Sequence, residues 1–186
     1  MRKVRVDDCI CHGKLVDHDR VRNIILDKIE NDLHIETVGK NSFTDRNPPY
    51  PTNDKISKLD WTKANDFKRP WVKVFKPNFD ITINNFISDL GYYKFNVDKM
   101  WYQQYSKEDE HQWHIHGGHY TGVYYLEFPK GSGKTELRSP FNFKTHVVNA
   151  KEGDIIMFPA HWIHRGSPNG QYRKTIVSFN FDLEVG

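Results

Sequence analysis

The sequence predicts a mostly β domain of jelly-roll type, braced by helices that come before it in the chain. Three observations carry this. From Tyr92 onward the chain breaks into short aromatic or β-branched segments separated by turn residues, the texture of a sandwich or barrel. Before Tyr92 there are two stretches with the i, i+3, i+4 apolar spacing of amphipathic helices. The helices precede the strands instead of alternating with them, so they should cover one face of a sheet. At 186 residues the chain suits one domain with a sizeable core. We read residues 1–91 as a helical and irregular support and 92–186 as the β core.

Composition narrows the function classes. The net charge is only +3, and basic residues are interleaved with acidic ones, so no nucleic-acid partner is expected. No apolar run is long enough for a bilayer, and the charged start has no apolar signal core behind it. Cys9 and Cys11 are the only cysteines, too close together to staple a fold, which points to a reducing, cytoplasmic setting. Cys9-Ile10-Cys11-His12 resembles half a metal site, but no second cysteine pair completes it, and a strand or loop with two free thiols is the better reading.

In chain order, Asp17–Arg20 gives an acidic start to a helix at about 18–32, with Val21, Ile24, Ile25 and Ile29 on its apolar face. Residues 38–66 are polar and turn-rich, and Asn47-Pro48-Pro49-Tyr50-Pro51 imposes an extended connector. A second helix begins at Pro70-Trp71 and runs through Phe75, Phe79, Ile83 and Ile87 to a stop at Gly91. Pro77 should kink or split it. Strands are expected at about 92–97, 99–105, 111–116, 121–128, 135–138, 145–149, 154–158, 162–166 and 173–182. Gly131-Ser132-Gly133-Lys134-Thr135 imitates the end of a phosphate-binding loop, but Phe128 stands where that motif needs a glycine and no helix follows. It reads as a hairpin turn.

The chemistry gathers around Gln112–Gly118. On a strand, alternate side chains share a face, so His114 and His116 present two imidazoles together, and Gly117-Gly118 lets the backbone turn away. A His-x-His pair alone is common on surfaces. The third ligand comes from Pro159-Ala160-His161-Trp162-Ile163-His164, where His164 is preferred over His161. His111 and His119 are weaker candidates, His111 because its strand parity differs from that of His114. Three ligands on one face leave positions open on a metal, as in oxygen-activating iron sites. Arg173 and Thr175 share a face of the last apolar strand, where a guanidinium needs an anionic partner and fits a carboxylate in bidentate fashion.

From Tyr105 through His114-x-His116, Gly122-Val123-Tyr124-Tyr125-Leu126, Gly153–Pro159, His164 and Arg173-x-Thr175, the sequence resembles the iron(II)/2-oxoglutarate-dependent oxygenases, in their prolyl-hydroxylase-like branch. The resemblance covers about residues 99–182. It implies a double-stranded β-helix holding Fe(II) and 2-oxoglutarate, with His114, His116 and His164 as the metal triad. Arg173, helped by Thr175, would clamp the distal carboxylate of 2-oxoglutarate, and the Tyr105 and Tyr124 hydroxyls would reach the cosubstrate. The implied reaction is hydroxylation of a substrate whose identity the sequence leaves open, with O2 consumed and succinate and CO2 released. The family pattern is His-x-Asp or His-x-Glu, and His116 departs from it. Two other arrangements stay open, one with only His114 and His164 binding and one with a carboxylate arriving from elsewhere. Two other functional readings also compete: a cupin-type metal protein that uses no ketoacid, and a non-catalytic jelly-roll binding protein.

Overall fold

The structure, a computed structural model, describes residues 9–33, 36–38 and 54–184. Its elements in order are β1 (Cys11–Lys14), α1 (His18–Glu30), β2 (Glu36–Val38), β3 (Ile56–Leu59), a 3-10 turn (Trp61–Lys63), α2 (Pro70–Asp89), β4 (Phe95–Tyr105), β5 (His111–His114), β6 (Tyr120–Glu127), β7 (Thr135–Arg138), β8 (Thr145–Val147), β9 (Asp154–Pro159), β10 (Ile163–Gly166) and β11 (Lys174–Leu183). The larger sheet has the order β1-β9-β6-β11-β4-β3-β2 and the smaller one β5-β10-β7-β8. Neighbouring strands run antiparallel in both. The two sheets form a double-stranded β-helix.

Alternation along the strands builds two cores. Met100, Tyr102, Tyr124, Leu126, Val177, Phe179 and Phe181 face the helices, where they meet Ile25 and Ile29 of α1 and Trp71, Phe75, Phe79, Ile83 and Ile87 of α2. Tyr105, Val123, Tyr125, Ile156, Phe158 and Ile176 face the smaller sheet, from which Leu137 joins them. The helices therefore cover one face of the large sheet, as expected. A buried ion pair fixes the start of α2 to β4. Asp60 and Arg69 are 0% and 4% exposed, and Asp60 also accepts hydrogen bonds from the Trp71 indole at 3.0 Å and the Tyr102 N–H at 2.8 Å.

Several expectations need correcting. Pro77 does not split α2, which runs unbroken from Pro70 to Asp89. Its buried face is continuous from Trp71 to Ile87, and each fully buried apolar side chain is worth about 1.5–3 kcal/mol, against about 3 kcal/mol for an interior proline. The strands expected at 92–97 and 99–105 are one strand, β4, whose pairing with β11 slips by one residue between Val97 and Lys99. Asn47–Pro51 lies outside the described residues, and the later part of that connector forms β3. Ile56 and Leu59 are buried, and β3 pairs with β4 through Lys58 and Leu59. The Gly131–Thr135 turn is not a hairpin, because β6 and β7 belong to different sheets. Of the glycine pair after His116, Gly118 needs to be glycine, with a φ of +88°. Among the described residues no helix is long and apolar enough to cross a membrane.

Candidate metal centre

His114 ends β5 and His164 lies directly opposite it on β10. His116 follows two residues later, with its backbone N–H donating to the Ala160 carbonyl at 3.1 Å. One nitrogen from each of His114, His116 and His164 lies within 4.8 Å of the others, and the Nε2 atoms of His114 and His116 are 3.2 Å apart. Two tautomers are set by the backbone. The Nδ1–H of His114 donates to the Gln112 carbonyl at 2.6 Å and that of His164 to the Trp162 carbonyl at 2.9 Å, which leaves each Nε2 unprotonated and facing its partners. Burial holds all three imidazoles below the ordinary histidine range, His116 down to about 3. Three buried, neutral, convergent nitrogens fit a divalent transition metal. Among the described residues no carboxylate joins the cluster.

His111 was discounted on strand parity, yet its ring stacks on His114 with centroids 3.8 Å apart. A bulge explains this. His164 pairs with His114 but Gly166 pairs with His111, so β5 carries one residue more than β10 across the same span. The extra residue restores both rings to one side. His161 is exposed on the turn before β10, and the His119 Nδ1 accepts the Leu183 N–H at 3.0 Å, away from the cluster.

The pocket beside the triad lies between the sheets. It is lined by all three histidines, and further in by Tyr105, Tyr125, Thr135 and Lys174. Lys174 is 2% exposed. Its ammonium donates to the Gly133 carbonyl at 3.0 Å and sits 4.1 Å from the Tyr105 ring centre. Burial pushes its pKa down to about 7, with Asp109 opposing. Tyr125 donates its hydroxyl to Thr135 at 2.8 Å. A buried ammonium whose hydrogen bond among the described residues goes to a neutral carbonyl suits an incoming carboxylate. On the other side of the triad an outer cleft of about 330 Å³ is lined by His114 and His116 with Trp61, Trp101, Ile115 and Asp54.

Three residues expected at the cosubstrate lie elsewhere. Arg173 and Thr175 are on the helix face of β11. Arg173 does have the bidentate carboxylate partner that its chemistry calls for, but this is Glu127, at 2.8 and 3.2 Å, with Glu30 of α1 as a second partner. Thr175 donates to the same Glu127 at 2.8 Å. Tyr124 packs under α2, stacked on Phe75, and hydrogen-bonds His18 at 2.7 Å. Tyr105 does line the pocket. The pocket residues missed were Lys174, Tyr125, Thr135 and His111. The first two are the immediate neighbours of Arg173 and Tyr124, so parity was the available signal.

No protein-family model and no curated protein matches the sequence. Solved structures do match its fold. A prolyl hydroxylase from Trichoplax adhaerens, in complex with a hypoxia inducible factor oxygen degradation domain peptide fragment, aligns with a TM-score of 0.66 and 16% identity over 93% of this chain and 83% of its own. The viral collagen prolyl hydroxylase of Paramecium Bursaria Chlorella virus-1, in its 2OG complex, gives 0.61 and 15% over 95% and 96%. A 2OG-Fe(II) oxygenase family oxidoreductase from Burkholderia pseudomallei gives 0.68 and 12% over 92% and 84%. The chain shares their fold. At these identities the likeness speaks for architecture, and the chemistry rests on the site.

Proposed function

We propose that this protein is an Fe(II)/2-oxoglutarate-dependent dioxygenase of the hydroxylase type. The observation that carries the reading is one pocket with three convergent, neutral histidines at one end and a buried lysine, hydrogen-bonded to a backbone carbonyl, at the other. His114, His116 and His164 hold the metal. When bound, Fe(II) and the ketoacid together supply O2 activation, with oxidative decarboxylation to succinate and CO2 coupled to oxidation of a substrate C–H bond. The chain's own residues do the positioning. The backbone carbonyls of Gln112 and Trp162 aim His114 and His164. Lys174, and not Arg173, receives the distal carboxylate of 2-oxoglutarate, and the Tyr125 and Thr135 hydroxyls line the same pocket. Tyr105 supports Lys174 from below with its ring. Phe158 packs against the His164 ring and keeps that side dry. The outer cleft, with its two tryptophans, takes the substrate.

His116 makes the ligand set neutral, so a ketoacid dianion neutralises more of the metal's charge than it would beside a carboxylate ligand. The same substitution favours a second reading, a cupin-type metal protein that uses no ketoacid. Lys174 has no task in that scheme. Succinate release separates the two. With Fe(II), O2 and 2-oxoglutarate the protein should release succinate, and His164→Ala should release none. Metal binding without succinate release, and without 2-oxoglutarate binding, would leave the cupin-type reading.

A further inference from the structure

The ligand set brings no negative charge, and the chain places one carboxylate where it can act without ligating. Resting on the metal reading above, we infer that Asp54 is a positioning residue of the metal centre, which anchors the β-bulge presenting His114 and supplies the negative charge that three imidazoles lack.

A bulged residue has no ladder partner, and its backbone groups must be satisfied in another way. Here Gln112 and Trp113 together stand opposite Arg165, and the Gln112 backbone finds partners other than the ladder. Its N–H donates to Asp54 Oδ1 at 2.6 Å, and its carbonyl accepts the Nδ1–H of His114 at 2.6 Å. Asp54 therefore holds the residue whose carbonyl sets the tautomer and direction of the ligand. The carboxylate is itself fixed. The next residue, Lys55, exchanges both backbone hydrogen bonds with Glu110, immediately before β5, at 3.0 and 2.9 Å. The Asp54 side chain is 15% exposed, and its second oxygen lies 3.9 Å from Nε2 of His111, whose ring stacks on His114. The Gln112 carbonyl is the direct partner that orients His114, and Asp54 fixes that carbonyl from behind; loss of a group that orients a ligand commonly costs about 10- to 100-fold in metal affinity.

The test uses the full chain and Co(II) alone, followed anaerobically by its visible d–d absorption, with the Tm of each metal-free variant measured alongside. Asp54→Ala removes both the anchor and the charge. It should weaken Co(II) binding by about 10- to 100-fold and alter the band. Asp54→Asn keeps an oxygen for the Gln112 N–H and removes only the charge. It should keep the band's shape and lose several-fold in affinity. A purely structural role would lower the metal-free Tm and leave the Co(II) affinity and band alone. Wild-type affinity, within about twofold, and an unchanged band in Asp54→Ala would overturn the inference. If Asp54→Ala does not fold, Asp54→Asn decides in the same way, and an unchanged affinity counts against it. Wild-type protein that binds no Co(II) would remove the metal centre as well, whereas wild-type binding with indifferent variants would sink only the role of Asp54.

Discussion

At the scale of single residues, the account turns on the difference between Lys174 and Arg173. Lys174 faces the pocket with the Gly133 carbonyl as its hydrogen-bond acceptor, while Arg173 is already matched to Glu127 and Glu30 on the opposite face. With Mn(II) as a redox-inert metal, Lys174→Ala should weaken 2-oxoglutarate by about 10- to 100-fold, the worth of charge-assisted hydrogen bonds, and leave metal affinity unchanged. Arg173→Ala should leave both unchanged. Calorimetric titration checks this, and the opposite ranking would return Arg173 to the cosubstrate. The pH dependence follows from burial. Lys174 is pushed down to about 7, whereas an unfolded lysine keeps its proton to about 10.4. Between those values the unfolded chain binds more protons, so the metal-free protein gains stability as pH rises through this window and loses it as pH falls towards 7. A bound carboxylate favours the ammonium. Affinity for 2-oxoglutarate should therefore fall as pH rises above about 7, with a proton taken up on binding, which titrations in buffers of different ionisation enthalpy would detect. The correct face was legible in the sequence. Arg173 and Thr175 share parity with Val177, Phe179 and Phe181, a row that large apolar side chains mark for the helices. Lys174 shares parity with Ile176 and Ser178, both on the pocket wall. The same rule separates Tyr124 from Tyr125.

At the scale of elements, strand parity gave out where the ladder slips. The β5 bulge carries His111 onto the metal side, and the slip between β4 and β11 joins two expected strands into one. A bulge depends on what the partner strand offers, and one strand's residue types do not reveal it. Asp54 was hidden for a related reason. It lies 58 positions from the Gln112 N–H that it accepts, in a stretch read only as connector. The histidines were legible because His-x-His needs only local strand geometry and His164 only a neighbouring strand. In α2 the reverse happened, as a sound local rule was overridden by packing. Pro77 is exposed and lies within an unbroken helix. It denies the Lys73 carbonyl a helical N–H partner and lines neither the inner pocket nor the outer cleft. Pro77→Ala should therefore stabilise the protein by about 1–3 kcal/mol with 2-oxoglutarate affinity unchanged, measured by denaturant unfolding. A loss of stability would mean that the proline's shape is built into the helix packing.

At the scale of the whole molecule, the large sheet separates two tasks. Its helix-facing side is filled with aromatic and aliphatic side chains and carries the stability. Its other side, facing β5, β10 and β7, keeps a glutamine, a serine, a threonine and a lysine beside the histidines. That division is why the general architecture was readable from patterning, since each strand alternates between a row that must be apolar and a row that need not be. On the proposed function it would also set the metal at the three histidines on one line between a substrate in the outer cleft by Trp61 and Trp101 and the cosubstrate carboxylate at Lys174. The central claim is that this line binds a metal and a ketoacid together. Its most direct test is anaerobic addition of Fe(II) and then 2-oxoglutarate to the full chain, read by visible absorption. The account predicts the charge-transfer band of an Fe(II)-chelated ketoacid, present in Arg173→Ala and lost in His114→Ala. A wild-type spectrum that stays featureless, with Tm unmoved by both additions, would contradict it.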